Sequence, residues 1–294
     1  MSKYSLFHIE GGLGKHVAAT AVAQCIKNNH PDRELIVVCA YPEVFLNMPS
    51  VSRVYRIGNT PYFYQDYIKG KDTLIFKHEP YYTTDHISKT MPLIANWCKL
   101  YNLTYSGEMP TLSFNIRQTQ YGINKWRRDR PVMILHTNGG PMKNQPYPYS
   151  WCRDMPPLIA NRIVQEFSKS YHIIQVCRDP AQVIPGTEVV SGQLSNIELF
   201  TMLLVSTKRV LIDSSLQHAA SALNLPSTVL WVGTSPELFG YSIHNNIKAN
   251  LPEDVKLPDS YLFDYSFHGA LHECPVFDLN VFSQDEILAS INSF

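Results

Sequence analysis

From Arg209 to Gly240 the chain reads RVLIDSSLQHAASALNLPSTVLWVGTSPELFG, and this run constrains the fold more than any other. A buried strand (Arg209 to Ile212) passes into a short helix (Ser215 to Leu223). A second apolar strand (Ser227 to Val232) and a Gly-Thr-Ser-Pro turn follow. Where a strand feeds a helix, backbone N–H groups are left unpaired and the helix dipole adds partial positive charge. Ser214 and Ser215 keep that junction small and offer hydroxyls, so a phosphate can approach it. Asp213 precedes them, His218 lies one turn inside, and Thr234 and Ser235 end the next strand. Two adjacent strand ends equipped in this way read either as a nucleoside-diphosphate pocket or as an ordinary βαβ unit with a capped helix.

The alternation extends over most of the chain. In the first half, Tyr4–Ile9, Leu35–Cys39, Val54–Ile57 and Thr73–Lys77 read as strands, with helical patterns near Lys15–Asn28 and Ile87–Tyr101. In the second, Val132–His136, His172–Cys177 and Glu188–Val190 read as strands, and Pro157–Ser170 and Asn196–Ser206 as helices. Strands alternating with helices predict parallel sheets with right-handed crossovers. Between the halves, RQTQYGINKWRRDR (117–130) is polar and basic and ends at Pro131, the composition of a connector. The expected organisation is a domain over 1–116, a basic linker over 117–130, and a second domain over 131–280. A C-terminal helix (281–294) is expected to pack back on the first domain, and Asn245–Pro275 reads as irregular. Ligands of such sheets bind at the carboxyl ends of the strands.

Charge and cysteines narrow the function. Residues 1–130 hold 16 Lys+Arg against 10 Asp+Glu, and residues 131–294 hold 9 against 15, although the net charge is zero. The basic first half suggests an anionic partner. Six widely spaced cysteines with no CxxC pair, no leader-like N-terminus and no apolar run of membrane length predict a cytoplasmic protein with reduced thiols, a monomer or weak oligomer with no membrane span. His268, His272 and Cys274 have no second cluster to complete a zinc site, so no metal and no cofactor are expected.

The run Asp213-Ser214-Ser215-Leu216-Gln217-His218-Ala219-Ala220 resembles the Asp-Ser/Thr-Gly-Pro/Leu-x-His-x-Ala motif of the heptosyltransferase-like glycosyltransferases, family nine. The likeness continues upstream in Gly192–Leu199 and downstream in Gly233-Thr234-Ser235-Pro236 with Gly240. It covers about residues 135–240 well and the first 58 or so moderately. The resemblance implies the α/β GT-B fold, two Rossmann-like parallel-sheet domains facing across a cleft. It also implies an inverting, metal-independent transfer from a nucleoside-diphosphate sugar. Thr137, in the turn His136–Gly140, would contact phosphate and Leu194 would lie against the base. Asp213, Ser214, Ser215, His218 and Thr234 would complete the donor site. For the cation that steadies a departing diphosphate, Arg153 ranks first and Lys143 second. Trp151 matches the family's Lys-x-Trp-Pro element, whose Lys is replaced by Tyr149.

The first strand ends in HIEGGLGKH (8–16). This turn lacks P-loop spacing and resembles the family's acceptor-facing turn, with Gly14-Lys15 in place of Gly-Asp. The family's base is therefore missing at that position; Glu10 is the candidate base and Lys15 the candidate anion-holding cation. Gly12 and Gly14, with Tyr62, Tyr64, Tyr81 and Tyr82 of two aromatic loops, are the acceptor-binding candidates, since aromatic faces stack on sugars and bases alike. The expected acceptor is polyanionic: a phosphorylated glycan such as lipopolysaccharide core first. Hydroxymethylated bases in DNA, as modified by viral-type glycosyltransferases, come second. Lys15 also leaves open a non-catalytic module that binds nucleotide sugar or glycan on a degenerate transferase scaffold.

Overall fold

A computed structural model describes residues 1–139, 152–177, 182–191, 194–252 and 280–294. The chain divides into two compact units, Met1–Asn115 and Ile116–Phe294.

In the first unit, β1 (Lys3–Ile9), β2 (Glu34–Cys39), β3 (Arg53–Arg56) and β4 (Asp72–Phe76) form one parallel sheet in the order β3-β2-β1-β4. Helix α1 (Leu13–Asn29) connects β1 to β2, and its run of small and branched residues from Val17 to Ala23 is fully buried. A short α2 (Phe63–Tyr67) precedes β4, and α3 (Thr84–Ile87) and α4 (Leu93–Leu100) follow it. The single helix expected over Ile87–Tyr101 is thus two pieces. Lys89 adopts a left-handed φ of 57° and Pro92, which has no N–H to donate, starts α4.

The second unit opens with α5 (Ile116–Trp126), so the expected basic linker is a helix of this unit and the division falls at its first residue. Only Gly122 and Trp126 of α5 are buried, four residues apart and so on one face. Among the described residues its strands β5 (Val132–His136), β6 (His172–Cys177), β7 (Glu188–Ser191), β8 (Ser206–Ile212), β9 (Thr228–Trp231) and β10 (Asn245–Lys248) form a parallel sheet in the order β10-β9-β8-β5-β6-β7. Every residue of β5 is buried, as a strand covered on both faces requires. Strand β10 corrects the reading of 245–275 as wholly irregular; the part from 253 lies outside the described residues. The helices are α6 (Pro157–Phe167), α7 (Asn196–Val205), α8 (Ser215–Ala222), α9 (Pro236–Phe239) and α10 (Gln284–Asn292).

The terminal helix α10 falls within the second unit. Ile287 and Ile291 join the core formed by Met133, Ile163, Val210 and Leu230, and the Lys208 ammonium donates to the Ile291 and Phe294 carbonyls. The charge reading changes as well. Residues 1–115 carry 11 Lys+Arg against 9 Asp+Glu, because Arg117, Lys125, Arg127, Arg128 and Arg130 fall in the second unit.

Candidate functional site

Each sheet has a point where its connections reverse direction. In the second unit the chain runs β5, β6, β7 to one side, then returns to β8, β9, β10 on the other, so the reversal lies between β5 and β8. In open α/β sheets, ligands bind beyond the carboxyl ends of the strands at such a point. Here those ends carry Thr137–Gly139 and Asp213–Ser215, with Gly233–Ser235 on the next strand.

One buried carboxylate organises this edge. Asp154, 1% exposed, accepts from Asn138 Nδ2 and from the Gly139 N–H, both at 3.1 Å. Its segment is bonded on both sides: Met155 N donates to the Thr137 carbonyl (2.9 Å) and Gly233 N to the Cys152 carbonyl (2.8 Å). The ends of β5 and β9 are thereby tied through residues 152–155. The β5 turn also presses on the β8 turn, since a Cβ on Gly139 would reach Ser214 Oγ at 3.3 Å. Ser214 is extended and its hydroxyl does not cap α8; Ser214 and Ser215 are both partly exposed at that helix's start.

The expected donor residues fall into three groups. Asp213, Ser214, Ser215 and Thr234 come together with Arg153. Burial raises the Asp213 carboxyl's pKa, while the Arg153 guanidinium and the Thr234 hydroxyl act to lower it. Thr137 lies at the same edge, but its hydroxyl is engaged: it donates to Asn138 Oδ1 (2.8 Å) and accepts from Gln175 Nε2 (3.0 Å). His218 points inward, with Nδ1 2.7 Å from the Tyr241 hydroxyl. Burial, then His244 and Arg153, pull its pKa to about 3, so the ring is neutral and is no cation for phosphate. Leu194 is half-buried and lies two residues ahead of α7. Its neighbours Ser195 and Glu198 form a capping box, which gives that stretch a structural role. Glu198 also takes the Lys125 ammonium, and the two partners hold its pKa near about 2. Gly140, Lys143, Tyr149, Trp151, Gly192, Gln193, His268, His272 and Cys274 lie outside the described residues.

The first unit has its own reversal, between β1 and β4. The β1 turn carries Glu10, Gly11, Gly12 and Gly14; the β4 loop carries His78 and Glu79. Lys15, 8% exposed, turns back from α1 and makes an ion pair with Glu79. Its ammonium lies 5.1 Å from the centre of the Tyr81 ring and 5.4 Å from Trp97. Burial lowers the Lys15 pKa, against the raising influence of Glu79 and, more weakly, Glu10. Gly11 makes room for the lysine stem: its φ is +98°, and a Cβ would meet Lys15 Cδ at 3.2 Å. His16 fixes the turn, its Nδ1 donating to the Gly12 carbonyl (2.9 Å) and its Nε2 accepting from Ala40 N (3.2 Å).

Glu10 is exposed and 3.6 Å from His8 Nε2. Of the expected acceptor aromatics, Tyr81 joins Lys15, whereas Tyr62 (77% exposed) and Tyr64 begin α2, and Tyr82 is exposed. Sequence reasoning missed Glu79, Trp97 and Asp154. Glu79 carried a usable signal, a carboxylate just past the strand that pairs with β1. Asp154 carried none, because its partners are backbone and amide groups made adjacent by the fold.

No protein-family model matches the sequence, and no curated protein matches it significantly. Solved structures do. The chain is similar to E. coli ADP-heptose LPS heptosyltransferase II over 99% of its length and 98% of that chain, with a TM-score of 0.67 and 12% identity. A family 9 glycosyl transferase from Veillonella parvula gives a TM-score of 0.67 at 13% identity, over 99% of this chain and 96% of that one. The E. coli heptosyltransferase WaaC, solved with ADP, gives 0.57 at 11% identity, over 84% and 93%. The fold is therefore the two-domain parallel-sheet α/β fold of the heptosyltransferase structures.

Proposed function

We propose that the protein is a glycosyltransferase that binds a nucleoside-diphosphate sugar in its second unit and transfers the sugar to an acceptor hydroxyl. The carrying observation is the sheet reversal between β5 and β8. There Ser214 and Ser215 present partly exposed hydroxyls at the start of α8, against Gly139, with Asp213, Thr234 and Arg153 beside them. Free N–H groups, a helix dipole and small hydroxyl residues suit a diphosphate, and Arg153 adds the charge that a departing diphosphate needs. Likeness in fold to a heptosyltransferase solved with ADP makes a nucleoside diphosphate the first ligand to try.

The transfer is a single displacement: the acceptor oxygen bonds to the anomeric carbon as the carbon–phosphate-oxygen bond breaks, with inversion. The metal-independent reading rests on the sequence, which has no Asp-x-Asp run, and predicts full turnover in excess EDTA. A glycan acceptor ranks first because one structure of similar fold is an LPS heptosyltransferase. Counted over Met1–Asn115, the first unit holds 11 Lys+Arg against 9 Asp+Glu, a small excess that lends the polyanion argument little weight. The test is release of nucleoside diphosphate from ADP-heptose and other nucleotide sugars, with deacylated lipopolysaccharide core or hydroxymethylcytosine duplex as acceptor. Acceptor-dependent release supports the reading. No release, with nucleotide bound normally, returns the protein to the binding-module alternative. If the duplex is the acceptor, affinity should fall with salt at a log–log slope of about −0.9 per phosphate neutralised.

A further inference from the structure

The basic run 117–130 ends in Arg127, Arg128 and Arg130, and the donor site uses none of them. Between the end of α5 and the start of β5 these arginines border an open cavity of about 440 Å³. Its apolar lining is half-buried: Ile123 of α5, and Leu204 and Val205 at the end of α7. Arg127, Asp129 and Arg130 are exposed at its margin, and every lining residue belongs to the second unit. We propose that this cavity is a binding site for a small phosphate monoester with an apolar body, such as an aryl or short alkyl phosphate. The proposal is independent of the glycosyltransferase reading. Val132 opens β5 and Thr137 follows its last residue, so about 16 Å of strand separates the cavity from Thr137, at about 3.3 Å per residue.

The three arginines differ in what they have left to give. Arg128 is committed to the fold: Nε and Nη2 donate to the Glu188 carboxylate (2.9 and 2.6 Å), and Nη1 donates to the Lys125 and Arg127 carbonyls. Arg130 is anchored through Nη1 alone, to the Ser168 and Lys169 carbonyls, which steadies the side chain and spares its other N–H groups. Arg127 makes no side-chain bond among the described residues. Two guanidiniums with donors to spare therefore stand against one carboxylate, Asp129. A guanidinium fork takes phosphate oxygens in pairs, and two such cations match the double charge of a phosphate monoester better than the single charge of a carboxylate. The apolar lining calls for a ligand that covers it, which inorganic phosphate does not. The volume lies within the range of about 300–1,000 Å³ usual for small-molecule sites.

The test is calorimetry of the full chain with phenyl phosphate, and with inorganic phosphate and phenol as its two halves, at low ionic strength. Phenyl phosphate should bind about tenfold or more tighter than either half. The double variant Arg127→Gln/Arg130→Gln should weaken it at least about tenfold. Arg127→Gln alone, which breaks no bond within the described residues, should weaken it several-fold and serves if the double variant does not fold. Asp129→Asn should tighten binding several-fold, because it removes the one carboxylate of the margin. Saturating nucleoside diphosphate should leave phenyl phosphate affinity within about twofold. A parallel arm uses vesicles of phosphatidic acid in phosphatidylcholine. Vesicle binding that the double variant abolishes supports the site with a lipid headgroup as its source of phosphate; phenyl phosphate binding without vesicle binding supports it with a soluble ester. Binding of neither probe, equal affinity in Arg127→Gln, or displacement of phenyl phosphate by nucleoside diphosphate overturns the proposal, the last by placing the phosphate at the donor edge. Failure of every nucleotide to bind would overturn the donor reading and leave this site standing.

Discussion

Asp154 carries more of the β5–β8 edge than any residue the sequence singles out. Its carboxylate orders Asn138 and Gly139, and its segment links the ends of β5 and β9. Asp154→Ala leaves the buried Asn138 amide and the partly buried Gly139 N–H without their acceptor, at about 1–3 kcal/mol. We expect a lower Tm and nucleoside-diphosphate affinity reduced more than tenfold by calorimetry; unchanged affinity would detach the β5 turn from ligand binding. Gly139→Ala is the milder probe. Its Cβ would press on Ser214 at 3.3 Å, so affinity should fall several-fold while Tm moves little. At this scale the sequence was informative where chemistry is local. The placing of Asp213, Ser214 and Ser215 between a strand and a helix was legible because that junction is set by local sequence. The surroundings of His218 were not legible, since only the fold reveals that its ring nitrogen is 2.7 Å from Tyr241. Glu79 and Lys15 are 64 residues apart, and no local pattern announces their pairing.

Among elements, α5 departs most from its appearance. Its sequence is polar and basic, yet Trp126 Nε1 donates to the Glu198 carbonyl, Lys125 reaches the Glu198 carboxylate, and Arg128 pairs with Glu188. A helix with a narrow buried face and cations satisfied by distant acids looks like a linker to any composition argument. Gly122 is the signature of its packing: a Cβ there would overlap the Thr201 side chain of α7. Gly122→Ala should therefore destabilise by about 1–3 kcal/mol through overpacking, although alanine is the better helix former. A variant as stable as wild type in thermal denaturation would mean that α5 is not seated against α7. Strands were legible almost throughout, because a doubly covered parallel strand such as β5 is a continuous apolar run. Strand β10 was not, since NNIK buries only its Ile247 well and looks like loop.

For the molecule as a whole, acid is the expected weak point. His218 and His244 have pKa values pulled to about 3 and about 4 by burial, below the ordinary imidazole value of 6.5. Between those limits the unfolded chain binds protons that the folded chain refuses, so both histidines contribute stability that is complete above about pH 6.5. That stability is lost as pH falls toward 4. Denaturant titration should show a steep decline over this window, shallower in His218→Gln; equal slopes would place the acid sensitivity elsewhere. His86, held near about 4 in the first unit, adds to the same trend. The central claim concerns the reversal between β5 and β8, and hydrogen–deuterium exchange with ADP, UDP, GDP, CDP and TDP tests it most directly. At saturation with the preferred nucleotide, protection should concentrate in peptides covering Thr137–Gly139, Asp213–Leu216 and Gly233–Ser235. Protection confined to other peptides, or none with any nucleotide, would contradict a donor site at that edge.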